Sequence, residues 1–282
     1  MSFISILIVI LLVDKKRHWI HNIQKDAWFY QLQAYFPQKP LLQFFVSILA
    51  PSLVLLALFV IFHNLLWGAV HLVLSVLVLM YALGRGPYVR LFSEYKQAWE
   101  DGNKEKLQGV LQALDAKQTV PDDAIQLHIK TRQAFIYQAF TRLFAVLFWF
   151  VLLGPVAAFL YRLLKLAEPS TRYSLALEKF MEWPAARLFS FSVALLGNFS
   201  NAIGHCKACM LDTQKTANTV ISEVALAALD HDMRWSTSRF VVENSERDVA
   251  EQAIKEMASI QSLIHRCTIF AVVFIAIVYV LF

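Results

Sequence analysis

The sequence predicts an all-α, polytopic helical membrane protein, with about four to five membrane helices plus amphipathic cytoplasmic helices, from its composition, its apolar runs and its helical periodicity. Of 282 residues, 58% are hydrophobic and only 17% charged, and mean hydropathy is +0.51. Soluble domains hold about 45–50% apolar and about 25% charged residues, so this chain has more apolar surface than water tolerates. Leu143–Tyr161 is nineteen residues without a charge, bounded by Arg142 and Arg162. At about 1.5 Å per residue it covers roughly 28 Å, close to the depth of a hydrocarbon core. No segment shows the period-two alternation of a strand.

Taken in order, residues 1–13 form a short apolar segment. It lacks a basic leader and is followed by Asp14-Lys15-Lys16-Arg17, so it reads as a retained membrane segment and not a cleaved signal. Leu41–Phe62 and Leu65–Leu83 are two spans joined by His63-Asn64, a membrane hairpin whose first arm is expected to kink at Pro51. Gly84-Arg85-Gly86-Pro87 stops the second. Residues 84–142 then turn amphipathic: Leu91, Phe92, Tyr95 and Trp99 recur at helical spacing, as do Leu107, Val110, Leu111 and Leu114 after the Asp101-Gly102-Asn103 break. Such stripes need cover from each other, from the membrane surface or from the C-terminal region.

Residues 143–204 form a central membrane region. Gly154-Pro155 inside its first run predicts a kink near Val151, because proline removes a hydrogen bond and crowds the preceding turn. Trp183-Pro184 is expected to restart a helix with proline at its first position. Residues 205–282 form a helical region with a stripe of Val249, Ala253, Met257, Ile260 and Ile264, a capping box at Ser245–Asp248 and a closing apolar tail, Thr268–Phe282. That tail is short for a span unless its helix starts earlier.

The net charge of +5 and pI near 9.1 are explained by basic residues flanking the spans, which argues against a nucleic-acid partner and for the bilayer itself. Basic residues are five in 14–40 and eight in 84–134, placing both flanks in the cytoplasm. If residues 143–161 cross alone, the twelve basic residues of 162–267 end up outside, against that rule. A second crossing by Leu188–Gly204 resolves the conflict and is the arrangement favoured here. Three cysteines, Cys206, Cys209 and Cys267, make no disulfide framework. The His205–Cys209 segment offers fewer ligands than a structural zinc site requires and reads as a helix face.

The chain has no phosphate loop, no Gly-x-Ser-x-Gly and no His-Glu-x-x-His; no catalytic residue, metal ligand or particular cofactor is assigned. Asp230-His231-Asp232 reads as a solvated helix end, since consecutive helical residues diverge. Arg142 and Arg162 read as snorkelling cations at the two interfaces. Arg187 lies in a weakly hydrophobic helix, where a buried cation needs a partner; Glu178, Glu182 or an anionic ligand are the candidates. The candidate ligand-binding residues are therefore Arg162, Glu178, Glu182, Trp183 and Arg187, with Gly154, Pro155, Tyr161 and Pro184 as framework.

Gly154-Pro155-Val156-Ala157-Ala158-Phe159-Leu160-Tyr161-Arg162, then Trp183-Pro184-Ala185-Ala186-Arg187, resembles the membrane family of cobalamin-pathway amide synthases (CobD/CbiB) and their AmpE relatives. The synthases carry a Glu-Asn pair before the Gly-Pro segment, where this chain has Gln133–Phe140. Their polar runs after it become Leu163–Glu168 and Thr216–Val220 here. The resemblance thus implies the AmpE branch: a multi-pass protein of the bacterial inner membrane, associated with β-lactamase induction and peptidoglycan recycling. It would act by binding a cell-wall-derived ligand or a partner protein. The alternative it implies is a divergent adenosylcobinamide-phosphate-type synthase forming an amide bond.

Overall fold

Helices begin where side chains can satisfy the free N–H groups of a first turn. Asn103 Oδ1 accepts from the Lys106 N–H at 3.0 Å, Asp123 accepts from Ile125 and Gln126, and Thr216 Oγ1 accepts from Thr219. The computed structural model describes residues 26–36, 39–62, 69–83, 88–115, 119–167, 172–210, 212, 214–229 and 246–281. The expected features at residues 1–13, His63-Asn64, residues 84–87, Asp230–Asp232 and Ser245 lie outside them.

The helices are α1 (Ala27–Ala34), α2 (Pro40–Ile61), α3 (Ala69–Ala82), α4 (Tyr88–Glu100), α5 (Lys104–Leu114), α6 (Ala124–Leu153), α7 (Pro155–Leu166), α8 (Arg172–Leu196), α9 (Phe199–Met210), α10 (Ala217–Ala228) and α11 (Glu246–Leu281). There is no strand among the described residues. Among the described residues three helices, α2, α6 and α11, are long and apolar enough to cross a membrane; α3 and α10 are shorter apolar helices. The fold is all-α, consistent with a helical membrane protein.

The chain divides into two compact units. The first takes residues 1–85, 142–185 and 272–282. Here α7 packs on α3, on the end of α6 and on α2. Trp28 of α1 stacks on Phe159 with planes 3° apart, and Tyr81 lies against the same ring. In α2 a π-helical turn, Phe45–Leu49, ends just before Pro51. The wider turn gives room where the proline ring would crowd the carbonyl four residues back, that of Ser47.

The second unit takes residues 86–141 and 186–271. Its core joins Leu91, Tyr95 and Trp99 of α4 to Leu107, Val110, Leu111 and Leu114 of α5, with Phe135 of α6 and Ala253 and Met257 of α11. The stripes of α4 and α5 cover each other, and α6 and α11 close the cluster. Elsewhere in this unit α9 packs on α10, and α10 on α6.

Three local expectations are corrected. Residues 143–161 are not one kinked helix: α6 ends at Leu153 and α7 starts at Pro155. Between them Gly154 has φ 87° and ψ −174°, a conformation that ends a helix and that essentially only glycine adopts without strain. Second, Pro184 does not restart a helix but lies inside α8. The proline deprives the Phe180 carbonyl of its usual donor, and the next carbonyl, Met181, accepts from Trp149 Nε1 at 3.1 Å, the kind of neighbouring donor that makes a mid-helix proline tolerable. Third, no separate helix begins at Thr268: the apolar tail ends the single 36-residue α11, so its helix starts earlier, as its short length required.

Candidate functional site

In the first unit the polar side chains gather around Asp26. Its Oδ1 accepts from Tyr81 Oη at 2.9 Å and its Oδ2 from Arg162 Nη2 at 3.0 Å. Arg142 is within electrostatic reach of both Arg162 and Asp26. The two arginines thus do not mark opposite interfaces, as their positions at the two ends of one apolar run suggested. The reversal at Gly154 brings them to one place.

One turn past Arg162, Lys165 Nζ donates to Glu178 Oε1 and to Glu182 Oε1, both at 2.7 Å. Glu182 is buried, and Tyr161 Oη lies 3.5 Å from the same oxygen. One cation between two carboxylates, drawn from α7 and α8, fixes the start of α8 against α7. In a partly buried setting such charge-assisted bonds are the stronger kind. Trp183, the next residue, keeps 39% of its surface exposed.

Arg187 belongs to the second unit and is 5% exposed. Its Nη2 donates to the Asp212 carbonyl at 2.6 Å, in the connection from α9 to α10. Beside it, Cys209 Sγ donates to Glu223 Oε2 at 3.2 Å, and Lys215 Nζ donates to the same oxygen at 2.6 Å. Cys206 and Cys209 are both buried, as expected of small residues on a packed helix face. The structure therefore brings Glu178 and Glu182 to Lys165, Arg162 to Asp26, and Arg187 to the α9–α10 connection.

A further cluster in the second unit escaped the sequence reading. His128 Nδ1 is 2.5 Å from Tyr95 Oη, and His128 Nε2 is 3.0 Å from Glu256 Oε2. Arg132 Nη1 bonds the other oxygen of Glu256. All four residues are buried. Burial, with the Glu256 charge adding to it, holds the Tyr95 phenol well above its ordinary range, so it keeps its proton and donates to His128 Nδ1. The remaining imidazole proton then sits on Nε2 and donates to Glu256. With neutral histidine the cluster carries one positive and one negative charge. His128 and Arg132, four apart on one helix face, were a visible signal; their partner 124 residues from Arg132 was not.

Comparison with known proteins places the chain in a family. The profile of the AmpE family, described as regulatory signalling modulator protein AmpE, matches residues 1–281. The chain belongs to the AmpE family. No curated protein and no solved structure matches it. Family membership carries a regulatory signalling role and agrees with the membrane-length helices. In this AmpE-family chain Gly154 separates α6 from α7, Tyr161 lies beside Glu182 and Pro184 lies inside α8.

Proposed function

We propose that this chain is a non-catalytic regulator in the inner membrane of a bacterium, acting in β-lactamase induction and peptidoglycan recycling. It would bind a cell-wall-derived ligand or a partner protein through Arg162, Glu178, Glu182 and Trp183 of the first unit, or through Arg187 of the second. The observation that carries this reading is the clasp of Glu178 and Glu182 by Lys165. Carboxylates held this way position helices, whereas amide synthesis with ATP needs acids free to hold Mg²⁺ and to take a proton from the amine. Beside the clasp, Tyr173, Phe180 and Trp183 expose 64%, 69% and 39% of their surfaces at spacings of seven and three residues. They give α8 an aromatic face of the kind that meets partners or membrane interfaces.

The test is β-lactamase induction in cells whose own copy is replaced by Trp183→Ala or by Arg187→Ala. Reduced induction at normal protein level is expected for both. Unchanged induction for both variants would remove this region from the proposal. Trp183→Ala separates signalling from folding, because its side chain is half-exposed.

A further inference from the structure

Apart from the α7–α8 region, the second unit holds a recess of about 360 Å³ between the Gly197-Asn198 corner, the end of α10 and one face of α11. That volume lies within the range of small-molecule sites, about 300–1,000 Å³. Its polar groups are Arg266, Ser262, Ser259 and Asn198. All four side chains can donate hydrogen bonds, and no carboxylate is among the described residues that line the recess.

Arg266 Nη1 donates to the Leu196 carbonyl at 3.1 Å. That bond orients the guanidinium without neutralising it, because the acceptor is a peptide oxygen, and the group has five N–H donors in all. Arg266 and Ser262 are exposed, so a ligand reaches them directly. The opposite wall is closely packed. Asn198 N–H donates to the Ala228 carbonyl at 2.8 Å, and Gly197 packs so close that an added Cβ would stand 2.6 Å from Ala228 Cβ. Arg266 also stands two residues before the apolar stretch that begins at Thr268, the level at which a membrane-anchored helix meets lipid phosphates.

We propose that this recess binds a phosphate group, carried by a soluble phosphomonoester or by an anionic lipid headgroup. Arg266 supplies the charge, and Ser262 and Asn198 supply hydrogen bonds. The recess shares no residue with the site proposed near Arg162–Arg187, so either assignment can fail alone.

The full chain in detergent is titrated with glycerol 3-phosphate by calorimetry. In parallel, native mass spectrometry measures lipid retained after reconstitution in phosphatidylcholine with or without phosphatidylglycerol. Saturable binding of glycerol 3-phosphate identifies a soluble ligand. Retention of phosphatidylglycerol without such binding identifies a lipid. In either case Arg266→Gln weakens binding about tenfold, the equivalent of one charge-assisted interaction. Ser262→Asp, an exposed substitution that brings a negative charge into the recess, weakens it at least as much without lowering Tm. Absence of both kinds of binding overturns the proposal, and so does binding that neither variant changes.

Discussion

His128 Nε2 lies 3.0 Å from Glu256 Oε2, although the two residues are 128 positions apart in the chain. With Arg132 on the other carboxylate oxygen, this pair joins α6 to α11 inside an otherwise apolar core. Replacing Glu256 by Gln leaves the Arg132 charge buried without its counter-ion. The expected loss is about 3–5 kcal/mol, the usual cost of breaking a buried pair by removing one partner. Thermal unfolding of the purified protein reads it. The double variant Arg132→Met, Glu256→Leu removes both charges and is expected to be more stable than Glu256→Gln, a non-additivity that an independent arrangement of the two side chains would not give.

Gly154→Ala tests the corner between α6 and α7. An added Cβ meets nothing within 4 Å, so the cost comes from the backbone conformation alone, on the order of 1–3 kcal/mol. A lowered Tm is expected. An unchanged Tm would mean that the chain does not adopt φ 87° there.

Gly197→Ala has a different origin for its cost. The new methyl would stand 2.6 Å from Ala228 Cβ and 2.7 Å from the Ala228 carbonyl, so the backbone must move. Adding Ala228→Gly relieves the first contact and not the second. The pair is therefore expected to recover part of the lost Tm, and full recovery would contradict the close approach of the two backbones.

The Cys209, Lys215 and Glu223 cluster predicts a loss of stability at alkaline pH. Burial, helped by Glu223, holds the Cys209 thiol above its ordinary 9.0. The bond to Glu223 holds the Lys215 ammonium above 10.5. Both groups keep their protons more tightly when folded, so their contribution is complete below about pH 9 and falls as pH rises beyond it, where the unfolded chain releases protons first. Tm measured in reductant from pH 8 to pH 10 should fall, and Cys209→Ser should fall less. Equal slopes for the two proteins would remove the thiol from the explanation.

The stripes of α4 and α5 were legible because each buries its apolar face within a short stretch of chain: Leu91, Tyr95 and Trp99 meet Leu107, Val110 and Leu111 across a three-residue break. Ala253, Met257 and Ile260 on α11 were legible for the same periodic reason. Glu256 was not, since an acid beside an apolar stripe looks solvated until its distant partners are known. Hydropathy also reports nothing about φ, so Gly154 passed for a kink and Leu143–Tyr161 for one span. For Pro184, position in the sequence suggested a helix start; Trp149, 35 residues upstream, supplies the donor to the neighbouring carbonyl that accompanies proline inside a continuous helix.

The Gly154 corner also bears on how the chain counts its passages through a bilayer. Arg142 and Arg162 share the surroundings of Asp26, so the two ends of the apolar run between them lie together and not at opposite ends. Each arm is roughly 12–17 Å deep at about 1.5 Å per residue, about half a hydrocarbon core. At the tip, Leu152 and Leu153 expose 59% and 66% of their surfaces, which suits lipid. A hairpin inserted this way would add nothing to the parity of crossings. Cysteine labelling in whole cells, at one site before Arg142 and one after Arg162, is expected to find both on the same side; labelling on opposite sides would mean that the run crosses after all.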